Sequence, residues 1–65
     1  MPEEFEYELE NFIDKSSLSD VLESLVEICY AKAEHLRSNW QDSKAAKSWD
    51  RDAAVIGRMV SKIQN

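Results

Sequence analysis

LSDVLESLVEICYAKAEHLRSNW, residues 18–40, and AKSWDRDAAVIGRMVSKI, residues 46–63, carry two apolar stripes at helical spacing, and the polar Gln41, Asp42 and Ser43 lie between them. At about 100° per residue, Leu18, Leu22, Leu25, Cys29, Ala33, Leu36 and Trp40 fall on one face of a helix. Val21, Val26 and Ile28 widen that face on both sides. In the second segment Ala46, Trp49, Ala53, Ile56, Val60 and Ile63 repeat at spacings of three and four, a coiled-coil-like seam, with Val55 and Met59 on one flank. Ser17 with Asp20 has the form of a capping box that starts the first helix, and Asp42 is a good N-cap for the second.

Folding the chain at residues 41–43 sets Leu36 against Ala46 and Trp49, Cys29 against Ala53, and Leu22 against Val60 or Ile63. Apolar meets apolar along the whole length. The same alignment brings Lys32 opposite Asp52, two charges inside the apolar arcs, and predicts that they approach each other and fix the register. The alternative is that each reaches solvent or a charge on a second subunit. Gly57 lies four residues from both Ala53 and Ser61, a small-residue track suited to close helix approach, or else a tolerated surface glycine.

Upstream, residues 1–15 hold Glu3, Glu4, Glu6, Glu8, Glu10 and Asp14 against Lys15 alone, a net charge of -5 that equals that of the whole chain. Residues 16–65 carry seven acids and seven bases. Phe5, Leu9, Phe12 and Ile13 make a helical stripe in this arm, while Phe5, Tyr7 and Leu9 also alternate with glutamates as an exposed strand would. The helix is favoured because no other segment offers a strand to pair with. The glutamates read as a solvated face, with mimicry of nucleic-acid phosphates as the sharper alternative. The expected fold is therefore all-α and a single domain, 1–65: an acidic N-terminal helical arm at 1–15, then an antiparallel two-helix hairpin of helices at 17–40 and 42–63.

A chain of 65 residues buries only about 60% of its unfolded surface, so a lone core is marginal unless it is stapled or shared. Cys29 is the only cysteine and His35 the only histidine, which excludes a disulfide framework and a Cys/His zinc site. The apolar arcs are wider than one helical neighbour covers. Assembly into an oligomeric helical bundle, a dimer or higher, follows, with Val26, Ile28, Val55 and Met59 as candidate interface residues.

The hairpin is neutral and the arm acidic, so direct nucleic-acid binding and an anionic membrane surface are both disfavoured. The acidic start of the chain is unlike a secretory signal, and cytoplasmic residence is expected. Cys29, central in its stripe, reads as a small buried hydrophobe, and His35 as a boundary residue with no carboxylate three or four positions away to orient it. No phosphate loop, nucleophile set or metal-ligand spacing is visible, and no cofactor or enzymatic activity is expected.

The ridge Asp20, Glu23, Glu27, Tyr30, Glu34, Arg37 and Gln41 reads as the solvated back of a helix or as a binding face anchored by Tyr30 and Arg37. Trp40 and Trp49, expected to cap the core beside the turn, form with Arg37, Lys44 and Lys47 the one aromatic and basic neighbourhood. The leading functional expectation is a small non-catalytic protein-interaction module, with a protein partner possible through the acidic arm. The alternative is an oligomer that sequesters an anionic small molecule or nucleotide at Tyr30, Arg37, Trp40, Lys44 and Trp49.

Overall fold

The computed structural model describes residues 2–65 and contains, among them, three α-helices and no strand: α1 Pro2–Lys15, α2 Leu18–Asn39 and α3 Ser43–Val60. Helices α2 and α3 pack against each other as a hairpin, and α1 touches α2 but not α3.

Local sequence accounts for each boundary. Ser16 ends α1, its N–H bonding the Phe12 carbonyl at 3.1 Å and its hydroxyl donating to the same oxygen at 2.9 Å. Ser17, in extended backbone, starts α2 by accepting the Asp20 N–H at 3.0 Å. Only this serine half of the expected capping box forms. At the other end the Leu36 carbonyl accepts from the Trp40 N–H at 3.2 Å and the Asp42 N–H at 3.1 Å. Gln41 between them adopts the left-handed region, φ 52°, which reverses the chain. Asp42 then caps α3, its carboxylate accepting the Ala45 N–H at 3.0 Å.

Alanines make the seam. Ala33, Ala46 and Ala53 are fully buried and Cys29 is 8% exposed, and no large side chain reaches full burial. Small residues on both helices allow their axes to approach closely. The larger residues Leu18, Leu22, Leu36, Trp49, Ile56 and Val60 are half-buried around that seam.

Two expectations need correction, and one left open at Gly57 is decided. Helix α3 stops at Val60, not Ile63: the Lys62 and Ile63 N–H groups bond the Met59 and Val60 carbonyls in tight turns, and the tail crosses to α2, where the Asn65 carbonyl accepts the Ser19 N–H at 3.2 Å. This satisfies an orphan donor of the first turn of α2 and leaves Ile63 half-buried without a helix to carry it. Trp40 does not cap the core but is 69% exposed, because as C-cap residue it leaves the helical track. Gly57 does not mediate close approach: a Cβ there would meet nothing within 4 Å. Gly57→Ala is therefore expected to stabilise the chain by about 0.5–1 kcal/mol through helix propensity alone, read as a higher urea midpoint; a lower midpoint would show that the space is needed.

The molecule is open for its size. Its radius of gyration is 13.7 Å, where a compact chain of this length has about 10.7 Å. It exposes 5424 Å², roughly 1,200 Å² more than a compact monomer of its mass.

Candidate functional site

On one flank of the hairpin Ile28, Ala31, Lys32, His35 and Leu36 from α2 and Trp49 from α3 line an open groove of about 430 Å³. Lys32 does not form an ion pair with Asp52. Its Nζ lies 5.5 Å from the centre of the Trp49 ring, so the ammonium rests on the indole face while its methylene stem covers apolar surface. Asp52 is exposed. A solvent-exposed pair is worth about 0–1 kcal/mol, no more than an exposed cation–π contact of about 0.5–1 kcal/mol, so charge alone does not fix the lysine's partner.

The charge that bridges the two helices is instead on the opposite flank. Arg37 donates from Nη2 to Asp50 Oδ2 at 2.5 Å and from Nη1 to Glu34 Oε1 at 3.2 Å, and Ser38 Oγ donates to Glu34 Oε2 at 2.7 Å. The sequence signal for Asp50 was available: Asp50 follows Trp49 just as Arg37 follows Leu36, so each sits immediately beside its seam on a matching side.

The Ser38 hydroxyl and then the Arg37 guanidinium hold the Glu34 carboxyl below its ordinary value. A carboxylate with a depressed pKa contributes stability that is complete above the ordinary glutamate range and is lost as pH falls through the folded value. Glu34→Gln is thus expected to flatten the fall in melting temperature on acidification below that range, leaving a small difference at neutral pH. An identical slope in the two proteins would remove Glu34 from the acid response.

His35, at the end of the groove, joins the turn to α2. Trp40 Nε1 lies 3.3 Å from His35 Nε2, and Nδ1 lies 2.8 Å from the Asn39 side-chain amide. Indole nitrogen only donates, so Nε2 accepts and the neutral ring carries its proton on Nδ1.

A second groove, about 580 Å³, separates α1 from α2. Its lining includes Leu9, Phe12 and Lys15 from α1 and Val21, Leu25 and Ile28 from α2. Ile28 borders both grooves. On the other flank Val26, Gly57 and Val60 floor a shallower depression between Glu23 and Glu27.

Of the five residues read as a ligand or partner site, Trp49 lines the Lys32 groove and Trp40 bonds to His35 of the same groove, Arg37 is engaged with Asp50 and Glu34 on the opposite flank, and Tyr30 and Lys44 are exposed. Of the four interface candidates Ile28, Val55 and Met59 are exposed and Val26 is half-buried on the Gly57 flank. Cys29 is a free, buried thiol. Among the described residues no three His, Cys, Asp or Glu side chains are grouped to hold a metal ion, and no helix is long and apolar enough to cross a membrane. No protein-family model matches the chain, and no curated protein and no solved structure matches it either.

Proposed function

We propose that the chain is a non-catalytic protein-interaction module, an adaptor, regulator or inhibitor that works as a homo-oligomeric helical bundle. The observation that carries this reading is the mismatch between core and surface. The hairpin buries alanines and one cysteine, while Phe5, Phe12, Leu25, Ile28, Val55 and Met59 remain between 39% and 58% exposed. The roughly 1,200 Å² of surplus surface exceeds the ~800 Å² that each partner contributes to a standard stable interface.

What the grooves offer is also suited to packing more than to chemistry. Their linings are mostly aliphatic and aromatic, and Lys32 and His35 are each engaged with a tryptophan. Mass by light scattering tests the reading. A multiple of the 7.5 kDa chain mass is expected; a single-chain mass across the micromolar range would overturn it.

A further inference from the structure

The outer faces of α1 and α3 carry opposite charges in matching patterns. On α1, Glu3, Tyr7, Glu10 and Asp14 recur at four, three and four residues, all exposed, on the side away from Leu9 and Phe12, which line the groove against α2. On α3, Lys44, Lys47, Arg51, Val55 and Arg58 recur at three, four, four and three residues, all exposed, on the side away from the buried Ala46 and Ala53. Neither ridge is interrupted by a charge of the other sign. Of the two acids within α3, Asp50 is half-buried and bonded to Arg37, and Asp52 lies on a neighbouring face.

We propose that the basic outer face of α3 is the docking surface for the acidic outer face of α1 from a second copy of this chain. The partner and mode deepen the oligomer reading above and rest on it. Set antiparallel, the two ridges fall into one register: Asp14 meets Lys47, Glu10 meets Arg51, Tyr7 meets Val55 and Glu3 meets Arg58. Glu3 to Asp14 and Lys47 to Arg58 are each 11 residue steps, about 16.5 Å of helix. Parallel alignment pairs fewer charges: Glu3 on Lys44 puts Asp14 on Val55, and Glu3 on Lys47 puts Tyr7 on Arg51 and Glu10 beside Val55.

A chain cannot make this contact with itself. Its α1 lies against α2, and the basic face of α3 points away from α2. Each copy thus presents one acidic and one basic face, and reciprocal exchange satisfies both in a closed pair. Tyr7, 67% exposed, and Val55, 43% exposed, supply the apolar centre. An aromatic ring ringed by charges is a usual hot-spot arrangement, and the flanking exposed ion pairs, individually weak, give orientation and salt sensitivity.

Charge reversal tests the register. One variant carries Lys47→Glu and Arg51→Glu, the other Glu10→Lys and Asp14→Lys, each checked for retained helicity by circular dichroism. At low ionic strength the wild type is expected at twice the chain mass, and each variant alone at half that value. An equimolar mixture is expected to regain the wild-type mass, because each altered ridge then faces its complement. Either variant keeping the wild-type mass, or a mixture that stays monomeric, overturns the α1 to α3 docking while leaving the oligomer reading intact. A monomeric wild type removes both.

Discussion

Ala53→Leu is expected to lower the melting temperature by roughly 10 °C or more, the largest effect of any single conservative apolar change in this chain. Ala53, like Ala33 and Ala46, has no exposed surface, and Cys29 is 8% exposed. Three additional carbons have no void to enter, so the helices must separate or the leucine must leave its preferred rotamers. Overpacking of this kind costs about 1–3 kcal/mol, and in a domain of this size each kcal/mol moves the midpoint by about 4–8 °C. The total stability of so short a chain is itself only a few kcal/mol. Ala31→Leu on the exposed rim of the Lys32 groove is the control and is expected to shift the midpoint little. Thermal melts followed at 222 nm read both, and equal shifts would show that the alanine seam is not where the helices meet tightly.

In the proposed oligomer, where the apolar grooves close together with the α1 to α3 contact, Ile28→Asp is expected to reduce the assembly to single chains. Ile28 borders both apolar grooves and is half exposed. In an isolated chain the lost burial amounts to about 1 kcal/mol. Placed in a shared interface, the same substitution buries an unpaired carboxylate, a penalty of several kcal/mol. The variant should therefore be monomeric by light scattering and melt at a temperature independent of concentration, whereas the wild type becomes more stable as concentration rises. An Ile28→Asp protein that kept the wild-type mass would place the interface away from these grooves.

Helix positions were legible in the sequence because they depend on neighbours in the chain. Ser17 and Asp42 cap where their side chains reach a backbone N–H three residues on, and the three- and four-residue spacing of apolar positions follows from helical pitch. That Cys29, Ala33, Ala46 and Ala53 lie on the stripes turned toward each other was legible for the same reason. The end of α3 was not. Its last turn is set by a tail that returns to Ser19, a contact between residues far apart in sequence. Nor was the exposure of Trp40, which depends on how a left-handed Gln41 swings the chain out of the helix.

Charge partners were the least legible. Lys32 and Asp52 fit an alignment of residue numbers, yet side chains with several rotatable bonds choose partners by distance and surroundings. Lys32 settled on the Trp49 ring, and Arg37 reached across to Asp50.

The sequence by itself determined three helices, their polarity of charge and a hairpin seam, because each follows from periodicity, capping and composition along a single chain. Only the tertiary structure decided that alanines rather than leucines fill that seam, that Arg37 and Asp50 bridge it, and that α1 covers α2 while leaving α3 bare. Those outcomes depend on how closely two helices approach and on which way each is rotated. Such distances and angles between elements have no signature in the order of residues within any one of them.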